Sequence, residues 1–194
     1  CRVICFPHNI EALVAGTNTR LVKDEFCWMR LELELYRAAI AVYTISEFDR
    51  AAIACLGADS CCFPYFPNKD RLKWLEGIRR ERKNKARANT LLLFTSVNNP
   101  PTKRAVAKFL DDFRSKYISS SYSLIVAGRG TQIFQSSEDQ KIKVLGEVEE
   151  KVAESLQNES DISLVPVIQT SGFLTKLIEN NLMAIPTLVL GSYL

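Results

Sequence analysis

Ile162-Ser163-Leu164-Val165-Pro166-Val167-Ile168-Gln169-Thr170-Ser171-Gly172-Phe173-Leu174-Thr175-Lys176-Leu177-Ile178-Glu179 is the stretch that decides the fold. Its first six residues are almost continuously apolar, as a strand covered on both faces has to be. A polar loop follows, and the chain from Gly172 to Met183 reads as a helix. The same alternation recurs on either side. Upstream lie a strand Leu91 to Thr95, a loop Ser96 to Pro101, a helix Thr102 to Tyr117 and a strand Ser123 to Ala127. After an irregular stretch rich in Ser and Gln come a strand Ile142 to Leu145 and a helix Glu150 to Gln157, and downstream lies a strand Thr187 to Leu190. Five apolar strands alternating with helices predict an α/β fold with a doubly wound parallel sheet over residues 90–194.

Residues 1–65 alternate as well, with too few strands to close a sheet, and read as the end of a second domain. Arg2 to Phe6 is a short apolar run that stops at Pro7. Phe26, Met29, Leu33 and Tyr36 fall at helical spacing and predict an amphipathic helix from Lys23 to Ala39. A β-branched run, Ile40 to Ile45, leads to Ser46, an N-cap with Asp49 three residues on, and a helix from Glu47 to Leu56 that Gly57 ends. Cys61 to Tyr65 reads as a further strand, before the turn Pro67-Asn68-Lys69-Asp70. Residues 66–89 then form a linker with a basic helix, periodic at Leu72, Leu75 and Ile78 and wholly charged, hence solvated, after Arg79.

Composition narrows the function classes. With 47% hydrophobic and 24% charged residues the chain has the make-up of an ordinary globule, and no apolar run is long enough to span a membrane. The net charge of +3 is local: six basic residues between Arg79 and Arg87 face one acid, Glu81, which leaves −2 for the rest. A nucleic-acid partner needs basic charge across a face, so none is expected. All six cysteines lie within the first 62 residues, without zinc-ligand spacing and with a single histidine, His8, and they read as reduced, buried thiols of a cytoplasmic protein. The chain starts at Cys1 without Met or a secretory leader, as a fragment or processed piece does.

In a doubly wound sheet, ligands bind at the carboxyl ends of strands, where helix N-termini offer free N–H groups to anions. Thr95 to Pro101 is one such loop, equally readable as a plain capped turn, with Lys103 and Arg104 just beyond it. Gly128-Arg129-Gly130 is a second; with Ile133 in place of a third glycine it is a damaged dinucleotide fingerprint, for which Glu147 could supply the ribose-binding acid. The third is the opening stretch. Ser171 can cap its helix, Gly172 lets a phosphate approach backbone N–H groups, Lys176 adds positive charge, and Glu179 can accept hydrogen bonds from ribose hydroxyls. Lys176 and Glu179, spaced i and i+3, read equally as an ion pair on a solvated face.

At these residues the chain resembles the group 1 glycosyltransferases, the retaining enzymes of the GT-B fold. The string Pro166, Ser171-Gly172, Lys176, Glu179 and Ala184-Ile185-Pro186 resembles that family's strand, loop and Gly-x-x-x-Lys-x-x-Glu helix. Thr44 to Asp49, Phe66-Pro67-Asn68, Leu124 to Gly130, Lys143 to Gly146 and Asp161 to Pro166 resemble further family segments, in family order. The sequence departs from the pattern at Lys69, where the family has Gly, in the first loop of residues 90–194, which lacks Gly, and at Thr175.

The resemblance implies two Rossmann-like domains with the donor in the cleft between them. Residues 1–65 would be the remnant of the N-terminal, acceptor-side domain, and residues 90–194 the C-terminal, nucleotide-sugar-binding one. It implies transfer of a hexose-type sugar, with retention, from a UDP- or GDP-sugar to an unidentified glycan, lipid or protein, without cofactor or metal, with peripheral membrane contact allowed. Glu179 would bind the ribose and Lys176 the diphosphate, with Ser171, Gly172, Gly128 and Arg129 completing the donor site. His8 and Glu11 would be the catalytic residues on the acceptor side, His8 touching acceptor or sugar, although a lone histidine is also a common structural residue. Two other classes fit the same residues: a non-catalytic Rossmann-like nucleotide-binding or interaction module, and a dinucleotide-dependent oxidoreductase resting on Gly128-x-Gly130.

Overall fold

The computed structural model describes residues 3–7, 22–83, 89–98, 100–116, 121–136, 140–167 and 175–191. It divides into two compact units, one built on Cys1–Phe66 and the other on Pro67–Gln169 with Lys176–Leu194.

In the first unit, strands β1 (Ile4–Cys5), β2 (Ala41–Thr44) and β3 (Cys61–Cys62) form a three-stranded parallel sheet in the order β1-β2-β3. Helix α1 (Val22–Ala38) precedes β2, and α2 (Glu47–Cys55) follows it. Ser46 caps α2 as expected: its Oγ accepts from the Asp49 N–H at 3.1 Å and donates to the Asp49 carboxylate at 2.5 Å. Tyr36, Val42, Ile53 and Ala58 form the core of this unit. The expectation of buried thiols does not hold here. Cys27, Cys55 and Cys61 are free and exposed, while Cys5 and Cys62 are half-buried. Cys5 packs against this core, and the exposed thiols of Cys27, Cys55 and Cys61 lie away from it.

The second unit opens with α3 (Lys69–Arg82), followed by β4 (Thr90–Phe94), α4 (Pro100–Lys116), β5 (Ser123–Ala127), a 3₁₀ turn (Thr131–Phe134), β6 (Ile142–Gly146), α5 (Glu150–Glu159), β7 (Ile162–Val167), α6 (Thr175–Leu182) and β8 (Thr187–Gly191). All five strands are parallel and lie in the order β6-β5-β4-β7-β8. By position in the chain that order is 3-2-1-4-5, the doubly wound arrangement, which reverses direction between β4 and β7. Leu93, Val106, Leu110, Phe113, Leu124, Val126 and Leu164 are among the residues that fill the core beside the sheet.

The basic segment does more than link. Leu75 and Ile78 of α3 are buried against Met183 and Ile185 just past α6. The solvated end expected after Arg79 is wrong for Arg82, whose Nη1 donates to the carbonyls of Gln157 (2.5 Å), Asn158 (3.1 Å) and Ser160 (2.7 Å). These carbonyls at the end of α5 lack intrahelical partners, and a guanidinium satisfies several of them at once. A charge run thus ends in an anchored arginine.

Candidate functional site

The reversal between β4 and β7 leaves a crevice at the carboxyl ends of these strands, the position at which doubly wound sheets take ligands. Four of the expected site residues, Lys176, Glu179, Gly128 and Arg129, come to this edge. Lys176 sits on the first turn of α6, and its ammonium donates to the carbonyl of Phe94, the last residue of β4, while lying 5.6 Å from the centre of the Phe94 ring. The side chain is half-buried, and desolvation pushes its pKa down to about 8, with the nearby Glu179 carboxylate pulling it partly back up.

Glu179 lies one turn further along α6 and holds a bidentate ion pair with Arg71, at 2.7 and 3.1 Å. Only 18% of the Glu179 side chain and 36% of the Arg71 side chain are exposed. Arg71 is itself held from two sides. Its guanidinium stacks 4.1 Å over the Trp74 ring, and its backbone N–H donates to Oδ1 of Asn68, the N-cap of α3. The Asn68 of the Phe66-Pro67-Asn68 segment therefore starts the helix that orients the glutamate.

Asn180, the next residue, is buried, and its amide donates to Ser163 Oγ and Thr187 Oγ1, both at 3.0 Å. It ties α6 to β7 and β8, which fixes the rotation of the helix and so the direction of its neighbour. Sequence reading gave no role to Arg71 or Asn180 and quoted Asn68 only within a turn and a family segment.

Gly128 stands at the carboxyl end of β5 with φ +118°, where a Cβ would lie 2.1 Å from the Thr95 carbonyl oxygen. Its N–H donates to the Gly146 carbonyl at 2.7 Å, beside a register shift between Val126 and Ala127 that bends the pair β5 and β6. The Arg129 carbonyl accepts from the Val97 N–H at 2.9 Å, so its backbone is committed to the loop after β4. Gly130, with φ +83°, leads into a 3₁₀ turn of only four residues. No long helix starts there to present N–H groups to a pyrophosphate, so the dinucleotide reading of this loop loses its physical basis. Lys103 and Arg104 are exposed on the first turns of α4. His8, Glu11, Ser171 and Gly172 lie outside the described residues.

No family model and no curated protein matches this sequence. Among solved structures, the chain is similar to the sucrose-phosphate synthase of Thermosynechococcus elongatus, with a TM-score of 0.70 at 13% identity, over 98% of this chain and 50% of that one. The fold is that of a GT-B glycosyltransferase. At this identity the likeness concerns the fold, and the chain spans about half the length of the synthase it matches. Within this GT-B fold, the edge that carries Lys176 and Glu179 is the carboxyl edge of the five-stranded sheet. Among the described residues, no helix is long and apolar enough to cross a membrane.

Proposed function

We propose that the chain is part of a glycosyltransferase that moves a hexose-type sugar, with retention, from a nucleoside-diphosphate sugar to a glycan, lipid or protein acceptor. The observation that carries this reading is the placement of Lys176 and Glu179 together at the switch point of a doubly wound sheet, the glutamate held by Arg71.

In this reading Glu179 accepts hydrogen bonds from the ribose hydroxyls. Arg71 holds its carboxylate in one orientation. Lys176 and the amino end of α6 meet the charge that develops on the departing diphosphate, with Ser171 and Gly172 adding backbone donors, so the chain's own part in the reaction is electrostatic. Gly128 lets the loop after β5 close against Thr95 and shapes the same edge, and Arg129 adds a cation to it. His8 and Glu11 serve the acceptor side.

The second reading, a non-catalytic nucleotide-binding or interaction module, draws on one observation: Lys176 and Glu179 already have protein partners. Calorimetric titration with UDP and with GDP separates the enzyme reading from an interaction module that binds no nucleotide, and turnover separates it from a non-catalytic nucleotide binder. The enzyme reading expects saturable binding of one of them and a loss of at least about tenfold in affinity for Glu179→Ala, equal to about 1.4 kcal/mol. If neither nucleotide binds, the enzyme reading is sunk.

A further inference from the structure

The opposite edge of the five-stranded sheet carries a cavity of about 380 Å³. Asn89, Tyr122, Asp161 and Pro186, which line it, each stand immediately before a strand, so the cavity lies at the amino ends of β4, β5, β7 and β8. Across the five residues of β4 this is roughly 16 Å from the Lys176 edge, at about 3.3 Å per residue.

One wall is the last turn of α3, with Arg79, Arg82 and Lys83. Their spacings of i, i+3 and i+4 put like charges side by side on one helix face, which costs stability unless an anion answers them. The negative end of the helix dipole offsets only part of that cost. The Arg79 and Lys83 side chains make no hydrogen bond or ion pair with any other described residue. Arg82 uses Nη1 for its carbonyl contacts, which leaves Nε and Nη2 for another acceptor.

The two carboxylates of the wall, Glu159 and Asp161, are already in use, Glu159 accepting from Ser155 Oγ at 2.6 Å. Asp161 in the cavity wall accepts the Thr90 N–H at 3.0 Å. Asn158 is buried, its Nδ2 donates to Glu81 at 2.6 Å, and its Oδ1 has no partner among the described residues. Cations without a partner beside an open cavity call for a ligand that brings an anion.

We infer that this amino-edge cavity binds a phosphomonoester, with its dianion on Arg79, Arg82 and Lys83 and a hydroxyl-bearing body towards Asp161. The site is separate from the donor site proposed above and stands whether or not that proposal holds.

Calorimetry of the full chain with inorganic phosphate and with glycerol 3-phosphate tests it, together with sedimentation on phosphatidylcholine vesicles with and without phosphatidic acid. Glycerol 3-phosphate is expected to saturate and to bind more tightly than inorganic phosphate. The Arg79→Ala/Lys83→Ala double variant, altered only at exposed positions, should weaken it by about tenfold or more, since two charge-assisted contacts are lost. The charge-keeping Arg79→Lys/Lys83→Arg swap should restore most of the binding. Binding confined to phosphatidic acid vesicles and lost in the double variant would assign the same phosphomonoester to a lipid headgroup. The inference is overturned if neither ligand nor vesicle binds, if the double variant binds as well as the wild type, or if UDP displaces glycerol 3-phosphate.

Discussion

The two edges of the five-stranded sheet hold their charges in opposite ways. At the carboxyl edge the charged groups are matched and enclosed: Glu179 by Arg71, Arg71 by Trp74, and the Lys176 ammonium by the Phe94 carbonyl. At the amino edge Arg79 and Lys83 make no hydrogen bond or ion pair with another described residue, although Glu159 and Asp161 share the cavity wall. Matched charges are held in one geometry at the cost of desolvation. Unmatched ones cost little desolvation and remain open to a soluble anion. In the functions proposed above, the carboxyl edge would orient a ligand and the amino edge would attract one.

The largest expected effect falls on the carboxyl edge. In Gly128→Ala the new methyl would stand 2.1 Å from a backbone oxygen at φ +118°, and neither partner is a side chain able to move aside. Denaturant unfolding should show a loss of about 4 kcal/mol or more, in the exceptional range for one substitution. A loss under about 1 kcal/mol would mean that the two loops are not packed as described.

Lys176 comes next. Its pKa of about 8 in the folded protein lies below the ordinary lysine value of 10.5, so between these values the unfolded chain binds the extra proton. Stability contributed at this position therefore rises with pH across that window, and below it the full cost of burying the charge is present. Lys176→Met should flatten the profile there and raise stability near neutral pH by up to roughly 3 kcal/mol. An equally steep pH profile in the variant would contradict the enclosed ammonium.

The smallest effect belongs to the amino edge. Ala184 holds φ +55° at the end of α6, where its N–H reaches the Asn181 carbonyl and that of Ile185 the Asn180 carbonyl, the paired bonds of a Schellman turn. A side chain in the left-handed region is strained, so Ala184→Gly should gain about 1 kcal/mol in thermal or denaturant unfolding. Because only a methyl is removed, binding of glycerol 3-phosphate in the adjoining cavity should be unchanged. A destabilised Ala184→Gly would refute the turn geometry.

Much of the sheet was legible in the sequence because buried parallel strands are continuous apolar runs. Ser123–Ala127 and Ile162–Val167 have the bounds that the sequence suggested. Edges were harder: Cys61 to Tyr65 read as a strand, but only Cys61–Cys62 pair with β2, since a short apolar run does not reveal where its neighbour stops. Lys176 and Glu179 stood out through their spacing and the loop before them. The partner that defines Glu179 did not, because Arg71 lies 108 residues away and Arg-Leu-Lys-Trp has no local signature. The anchoring of Arg82 was hidden for a related reason. Its partners are backbone carbonyls, which no residue type encodes.

The account's central claim is that the carboxyl edge holds a diphosphate against Lys176. Titration of UDP and GDP near pH 8, in two buffers of different ionisation enthalpy, tests it most directly. A diphosphate beside the ammonium raises its pKa from about 8, so binding should take up a proton, visible as a buffer-dependent enthalpy that disappears in Lys176→Met. Binding with the same enthalpy in both buffers, or proton uptake that survives Lys176→Met, would contradict it.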